Sequence, residues 1–327
     1  MIEVERLSKT FRIHKKAPGL KASLRSLFRR EWTEKPAVRE ISFSIGEGEI
    51  VGLVGANGAG KTTLVKMLSG VITPTSGEAR VLGYRPWERD NRLRSQLALI
   101  MGQKAQLWWD LPAADGFLLL KEIYRIPEAD YRRNLDELSA MLGVASLLDV
   151  QVRRLSLGER MKMELIAALL HTPRVVYLDE PTIGLDLSAQ RAVREFILEY
   201  RERHAPAMIV TSHYMDDIER MCERIMILRD GELVYDGSRD RILQDFARHK
   251  ILIAHLHNAP SEAALEALES HGEVLEREDT KVRLKVPRGG VARAAAALLE
   301  KLSVADLTIE EIGVGSIIEE LQSERAR

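Results

Sequence analysis

The sequence contains very little cysteine and no long apolar segment. Cys222 is the one cysteine in 327 residues, which excludes an internal disulfide and a zinc site built from cysteines. No run of about 18 apolar residues occurs, the length that a membrane-spanning helix needs. Residues 1–6 also lack the basic start and apolar run of a secretion signal. We therefore expect a protein of the reducing cytosol that reaches a membrane only through a partner.

An excess of charge of one sign is also missing. The 48 basic residues are balanced by 49 acidic ones, so the net charge is −1 and no overall field favours nucleic acid. Hydrophobic residues make up 45% of the chain, which is enough for a packed core. Because 327 residues exceed the usual size of one compact domain, we expect a main domain and a smaller one, with no nucleic-acid partner.

The N-terminal part of the chain alternates between strand and helix patterns. Alternating apolar and polar positions predict strands over residues 1–13 and 37–54, with a basic stretch at 14–36 interpreted as an insertion. Residues 113–172 have mostly helical periodicity, while the short β-branched runs at 175–178 and 208–211 are typical of parallel strands. This pattern predicts an α/β fold, in which a parallel sheet carries a helical insert.

After Gly237 the pattern changes to that of a small α+β domain. Strands are predicted at 251–257, 282–286 and 307–312, and helices at 261–270, 291–302 and 315–323. This succession indicates a βαββαβ order and a ferredoxin-like fold. We expect a cassette over residues 1–237, with a helical subdomain at about 103–173, followed by an accessory domain over residues 238–327.

A glycine-rich segment follows the apolar run at 50–54 and precedes a helical run at 64–68, which is the placement of a phosphate-binding loop. Its glycines let backbone N–H groups converge on phosphates, and the next helix points its positive end at them. Lys61 is expected to reach the terminal phosphates of ATP and the Thr62 hydroxyl to hold Mg²⁺. A simple glycine turn is the other interpretation. The predicted nucleotide-binding residues here are Gly55, Asn57, Gly58, Gly60, Lys61, Thr62 and Thr63.

Two adjacent carboxylates end the apolar run at 175–178. A buried strand in this position delivers acids to the phosphate end of the sheet, so Asp179 is a candidate Mg²⁺ residue. Glu180, one residue further on, is placed to polarise the attacking water as a general base. Acids that merely cap a strand end are the alternative, and a nearby phosphate loop makes it less attractive.

The segment Leu155-Ser156-Leu157-Gly158-Glu159 resembles the signature motif of ATP-binding cassette (ABC) proteins. Ser156 can cap the helix that runs to about residue 171, with Glu159 completing a capping box, and simple capping is also the alternative explanation. The resemblance implies that the Ser156 hydroxyl and the Gly158 N–H face the terminal phosphate held by a second subunit.

Further landmarks of that family occur in its usual order, at Gln103, Asp186 and His213. The resemblance implies that Gln103 contacts Mg²⁺ and the attacking water, that Asp186 works across a dimer, and that His213 binds the terminal phosphate. A lone histidine after a strand would otherwise be interpreted as structural. Phe11 matches the aromatic residue that stacks on adenine, and its alternative is a buried strand phenylalanine.

Two positions of the signature motif depart from the family pattern. Leu157 stands where glycine is usual, and Glu159 stands where glutamine is common. Since the Ser156 hydroxyl and the Gly158 amide are retained, we expect an active ATPase whose contact with the phosphate of the other subunit could be altered.

Three classes of protein use this kind of cassette: transporter subunits, translation factors and DNA-repair ATPases. Translation factors carry two cassettes and repair ATPases carry long heptad arms. One cassette with a short helical insert favours a transporter subunit. Residues 101–112 and the basic insertion resemble exporters of the ABC-2 type, with an importer as the alternative. The resemblance implies transmembrane permease partners, a second copy of the ATP-binding subunit, and a peripheral position on the inner face of the cell membrane.

Three segments outside the motifs also have predicted roles. Leu107, Trp108 and Trp109 are predicted to form part of a docking surface for a cytoplasmic helix of the membrane partner, with core packing as the alternative. In the insertion, an apolar helix face is flanked by basic residues that suit anionic lipid headgroups, or it packs on the cassette itself. The basic residues are Lys21, Arg25, Arg29 and Arg30. The tail from about 238 is predicted to be regulatory or dimer-stabilising.

Overall fold

The computed structural model describes residues 1–14, 32–102, 104–212, 214–246, 249–278 and 280–311. Within it the chain divides into two compact units, Met1–Asp236 and Gly237–Arg327. Gln103, His213, the basic residues of the insertion and the predicted helix at 315–323 lie outside the described residues. In the part of the chain that is described, no helix is both long and apolar enough to cross a membrane.

A six-stranded sheet forms the centre of the first unit, in the order β5-β6-β7-β3-β8-β9. The four neighbouring pairs β5–β6, β6–β7, β7–β3 and β3–β8 are parallel. All residues of β3, β6 and β7 are buried, as expected for parallel strands that are covered on both faces. The strands are β3 (Ile50–Gly55), β5 (Leu97–Met101), β6 (Val175–Asp179), β7 (Ala207–Thr211), β8 (Arg224–Arg229) and β9 (Glu232–Ser238).

A second, antiparallel sheet of three strands lies in the same unit, in the order β2-β1-β4. Its strands are β1 (Ile2–His14), β2 (Trp32–Ile45) and β4 (Ser76–Val81). The register pairs His14 with Trp32 and Thr10 with Pro36, so the described ends of the predicted insertion belong to the β1–β2 ladder. These ends of the predicted insertion therefore extend the β1–β2 ladder, and residues 15–31 lie outside the described residues.

Helices of the first unit follow the strands in the alternation of an α/β fold. Phosphate-loop helix α1 (Lys61–Leu68) follows β3, and the short α2 (Asn91–Arg94) precedes β5. Three helices occupy the predicted helical segment: α3 (Ala113–Tyr124), α4 (Glu128–Met141) and α5 (Leu157–Leu169). Helix α6 (Leu187–His204) follows β6, and α7 (Met215–Met221) follows β7. The parallel sheet with a helical insert confirms the predicted α/β fold class.

The second unit contains a four-stranded antiparallel sheet in the order β11-β12-β10-β13. After α8 (Arg239–Phe246), its elements are β10 (His249–Leu256), α9 (Glu262–Glu269), β11 (Glu273–Glu278), β12 (Lys281–Pro287), α10 (Val291–Lys301) and β13 (Val304–Glu311). From β10 onward this is the βαββαβ order of a ferredoxin-like fold. Strand β11 was not predicted from the sequence, because Glu273–Glu278 is largely charged and has only a weak apolar alternation.

Candidate functional site

The phosphate loop lies at the carboxyl end of β3, which is hydrogen-bonded to β7 and β8 in the sheet. Gly60, the residue before α1, has φ 110°, and a Cβ there would lie 2.3 Å from the Ala37 carbonyl oxygen. Gly58 has φ 83°, which a side chain would also disfavour. These backbone conformations turn the loop tightly in front of the helix amino terminus, so the glycines of the motif are required by the geometry.

Lys61 is buried at the start of α1, with its ammonium group inside the loop. Its Nζ donates to the Gly55 carbonyl oxygen at 2.6 Å and to that of Ala56 at 3.2 Å. Burial lowers the pKa of Lys61, and the charges of Glu180 and Asp179 oppose this shift. Burial therefore disfavours the charged form of Lys61 on balance, and an anionic ligand beside the ammonium group would stabilise that form.

Asp179, at the carboxyl end of β6, contacts a residue of the phosphate-loop helix, although β7 lies between β6 and β3 in the sheet. The Thr62 hydroxyl donates to Asp179, with Oγ1 3.1 Å from Oδ2, and the Thr211 hydroxyl donates to Asp179 Oδ1 at 2.7 Å. Asp179 itself is buried. A hydroxyl and a buried carboxylate are oxygen donors of the type that Mg²⁺ takes in nucleotide sites, so these residues fit that ion. The structure thus brings the predicted pair Thr62 and Asp179 together and adds Thr211, which sequence analysis did not single out.

Glu180 follows β6 in a left-handed backbone conformation, with φ 58°. Its N–H donates to both the carbonyl and the hydroxyl oxygen of Thr211, each at 3.1 Å. A non-glycine residue in this conformation carries a strain of order 1–3 kcal/mol, which its surroundings must offset. Thr211 supplies this support, so it holds the backbone of Glu180 at the edge of the sheet where the phosphate loop also lies.

A buried carboxylate connects the two loops that follow β6 and β7. Asp217 on α7 is fully buried, and its Oδ1 accepts a hydrogen bond from Arg194 Nη1 at 2.6 Å. Its Oδ2 accepts from the Ser212 hydroxyl at 2.9 Å and from the Thr182 hydroxyl. We call these four residues, Asp217, Arg194, Ser212 and Thr182, the Asp217 cluster. It ties the loop after Glu180 to the residue that precedes His213.

The Asp217 cluster was not predicted from the sequence. The one available signal was the position of Asp217 on the apolar face of α7, four residues before Met221 and next to Ile218, both of which are buried. That pattern indicates burial of the acid but does not name its partners, because those lie on three other segments.

The signature segment begins helix α5. The Ser156 hydroxyl accepts from the Glu159 N–H at 3.3 Å, and Glu159 accepts from the Ser156 N–H at 2.8 Å, which confirms the predicted capping box. The hydrogen bonds that the Glu159 carboxylate accepts from the Ser156 N–H and from the Ser156 hydroxyl lower the pKa of Glu159. The Ser156 hydroxyl also lies 2.8 Å from Glu159 Oε2, so this hydroxyl would have to rotate to reach a phosphate.

The signature segment packs against the loop that carries Asp186. A Cβ on Gly184 would lie 3.4 Å from Leu157 Cδ2, and one on Gly158 would lie 2.9 Å from the Ala189 Cβ. Asp186 caps α6, since its Oδ1 accepts from the Ala189 N–H at 2.8 Å. Leu157, at the position where glycine is usual in the family, therefore lies against the Asp186 loop of its own chain.

The exposure of Phe11 and of residues 107–109 tests what was predicted for these side chains. Phe11 on β1 is 37% exposed, so the alternative of a buried strand residue is wrong, and the Lys9 ammonium lies 5.3 Å from its ring centroid. Leu107 is buried, so its prediction as a docking residue was wrong, whereas Trp108 and Trp109 are each 52% exposed. Both rings remain exposed because residues 105–110 form no strand that would alternate them.

Two family profiles match this chain. One, described as "ABC transporter", matches residues 38–183, and the other, described as "EvrA-like ABC transporter, C-terminal domain", matches residues 248–310. An uncharacterized ABC transporter ATP-binding protein of Methanocaldococcus jannaschii is 32% identical over 69% of this chain and 79% of its own length. The linearmycin resistance ATP-binding protein of Bacillus subtilis is 29% identical over 64% of this chain and 67% of its own length.

Among solved structures, the fold is similar to that of a dimeric ATP-binding cassette in a post-hydrolysis state with ADP and phosphate. The TM-score is 0.60, with 21% identity, over 73% of this chain and 98% of the other. The phosphate loop, the acid-ended strand and the signature helix define an ATP-hydrolysing cassette. The chain belongs to the ATP-binding subunits of ABC transporters, as the motifs had predicted.

Proposed function

We propose that this ATP-binding subunit energises a membrane exporter of the ABC-2 type. The observation that carries the proposal is the pairing of the cassette with a separate α+β unit that matches the C-terminal domain of an EvrA-like ABC transporter. The similarity to a cassette protein named for resistance to linearmycin also favours outward transport, since resistance is commonly achieved by removing a compound from the cell.

We assign the ATP-binding residues from the phosphate end of the parallel sheet and, for Phe11 and Gln103, from the family resemblance. The phosphate loop from Gly55 to Thr63 binds the phosphates, Lys61 contacts the terminal ones, and Phe11 stacks on the adenine ring. Thr62, Asp179 and Gln103 would hold a Mg²⁺ ion, which supplies charge neutralisation of the phosphates when bound. Glu180 accepts a proton from the water that attacks the terminal phosphorus, and ADP leaves as the bond to its oxygen breaks.

A second copy of the chain completes the site in this proposal. Ser156 and Gly158 lie at the free amino-terminal end of α5, where backbone N–H groups favour an anion. Asp186 lies on the loop that packs against this helix end, so the two would face the other copy together. His213 and Gln103 keep the roles that the family resemblance implies, as a terminal-phosphate ligand and a water and Mg²⁺ contact.

The membrane partner is proposed to dock on an apolar surface of the helical segment. We define the apolar patch as Trp108, Trp109, Leu111, Leu118, Leu119 and Ile123, all of which are exposed by 40% or more. Leu119 and Ile123 share one face of α3 at a spacing of four residues. An exposed apolar surface of this kind is typical of a protein interface, and a cytoplasmic helix of the transmembrane subunit is the occupant that we assign.

Loss of the apolar patch should release the partner without unfolding the subunit. We expect Trp108→Ala and Ile123→Ser each to weaken copurification with the transmembrane subunit by at least about tenfold, the size of an interface hot spot. Val71→Ser is the matched control, because Val71 is also exposed, by 49%, and lies outside the patch. A lower melting temperature with unchanged copurification would instead favour a packing role for these side chains.

The direction of transport is tested with the partner in place. The proposal places the subunit on the cytoplasmic face of the membrane, so inside-out vesicles that contain both proteins should accumulate substrate when ATP is added outside them. ATP-dependent uptake by right-side-out vesicles loaded with ATP would indicate an importer instead. The contribution of the basic insertion to membrane contact remains a prediction from sequence.

A further inference from the structure

We propose that Glu164 is a positioning residue that couples the loop carrying Gln103 to the helix carrying Ser156. This inference rests on the proposed function, because it assigns a mechanical link between two parts of the ATP site named there. Glu164 lies on α5, where it is 6% exposed. A carboxylate this deeply buried requires partners, since burial of an unpaired charge is strongly unfavourable.

The partners of Glu164 are backbone groups of the loop. Its Oε2 accepts from the Gln106 N–H at 2.9 Å, and its Oε1 accepts from the N–H groups of Gln106 and Leu107 at 3.1 and 3.2 Å. Burial raises the pKa of Glu164, while these N–H groups and the charge of Arg160 oppose the shift. The carboxylate therefore restrains the main chain of the loop. Because its partners are backbone N–H groups, this restraint does not depend on the side chains of the loop.

The other end of the same loop is attached to the catalytic strand. The Gly102 N–H donates to the Asp179 carbonyl oxygen at 2.9 Å. A Cβ on Gly102 would lie 2.2 Å from the Glu180 carbonyl oxygen, so the two backbones are in close contact. Between Gly102 and Gln106 the loop is thus fastened at one end to the strand of Asp179 and at the other to α5.

Helix α5 carries this restraint to the signature motif. Glu164 lies eight residues after Ser156, which is about 12 Å along an α-helix. The Trp109 ring adds a second contact, with Arg160 of α5 4.7 Å from its centroid. A cavity of about 150 Å³ separates the loop from the first turns of α5 and is lined by Lys104, Leu157, Arg160 and Glu164, among others. Across this cavity Glu164 provides a direct polar connection between loop and helix.

The coupling would affect ATP hydrolysis because the loop and the helix that Glu164 connects contribute to different ATP sites of the dimer. Gln103 is assigned to the site of its own chain, and Ser156 to the site of the other copy. A displacement of the loop is passed through Glu164 to α5, so the geometry of one site biases that of the other. Lys61 and Thr62 belong to a different segment, so the affinity of the phosphate loop for ATP does not depend on Glu164.

The full-length chain tests this with Glu164→Gln, which keeps the shape but replaces one acceptor oxygen by an NH₂ group. We expect kcat for ATP hydrolysis to fall by about tenfold, since small misplacements near reacting groups have effects of this size or larger. The Kd for ATP should stay within about twofold. Amide hydrogen exchange should become faster at residues 104–109 while the phosphate loop is unchanged.

Two further variants make the result interpretable. Glu164→Met keeps an unbranched chain of similar length without an acceptor, and it should show the same loss of kcat if the amide variant is unstable. Glu137→Gln is the matched control, since this glutamate on α4 is half-buried and contacts Arg203, 3.3 Å away, instead of the loop. The control should keep the wild-type kcat.

Wild-type kcat in either folded Glu164 variant, or an equal loss in the Glu137 control, would overturn the coupling role. A separate variant, Glu180→Gln, tests the proposed function itself. If Glu180→Gln hydrolysed ATP normally, the site assignment itself would be wrong, whatever the Glu164 variants did.

Discussion

Replacing Glu180 with glutamine should abolish steady-state ATP hydrolysis and leave an ATP-bound dimer. An amide cannot accept a proton from water, and loss of a general base typically lowers a rate by 10² to 10⁴-fold. The amide is nearly the same size as the carboxylate, and Thr211 still holds the backbone at φ 58°. We therefore expect an intact site that binds ATP, pairs with a second copy and does not turn over.

The measurement combines phosphate release with light scattering at saturating ATP. Glu195→Gln is the matched control, because Glu195 is an exposed glutamate of α6, and this variant should hydrolyse ATP like the wild type and dissociate as ATP is consumed. If Glu180→Gln stayed monomeric with ATP and kept its activity, neither the general-base role nor the composite site would stand.

Removing the carboxylate of Asp217 should have the largest effect on stability. Asp217→Ala leaves the guanidinium of Arg194 buried and unpaired, and it takes the acceptor away from the Ser212 and Thr182 hydroxyls. Breaking a buried ion pair by removing one partner typically costs about 3–5 kcal/mol. We expect the free energy of unfolding of the first unit to fall by this amount, and the loops beside Glu180 and His213 to lose their common anchor.

Urea unfolding followed by tryptophan fluorescence measures this effect in the first unit alone, because all four tryptophans lie between residues 32 and 109. Asp216→Ala is the matched control, an adjacent and exposed aspartate on the same helix, and it should change stability by no more than about 0.5 kcal/mol. The double variant Asp217→Leu with Arg194→Met should recover much of the loss, because both charges are gone. Equal costs for the two aspartates would contradict the anchor.

Both predictions concern the ends of adjacent parallel strands. β6 ends at Asp179 and β7 ends at Thr211, and the register pairs these two residues directly. The catalytic candidate and its backbone support are therefore neighbours because of the sheet. The Asp217 cluster connects the loops that follow these two strands to Arg194 on α6 and Asp217 on α7.

Those parts of this protein that depend on contiguous residues were predictable from the amino-acid sequence. The phosphate loop, the acid-ended strand and the capping box at Ser156 are each defined within ten residues or fewer, and local backbone geometry follows directly from such short patterns. The resemblance to ABC proteins followed from the order of these motifs. For the same reason, the fold class was predicted correctly from the alternation of buried strands and helices.

Which polar side chains contact one another depends on the packing of the folded chain. Asp217 contacts Thr182 across 35 residues of sequence, and Glu164 contacts Gln106 across 58, so neither pair leaves a periodic or motif signal. Burial separated Leu107 from the exposed tryptophans for a similar reason, because a loop has no fixed alternation of faces. Long-range pairing is set by how the elements pack, and packing depends on the whole chain at once.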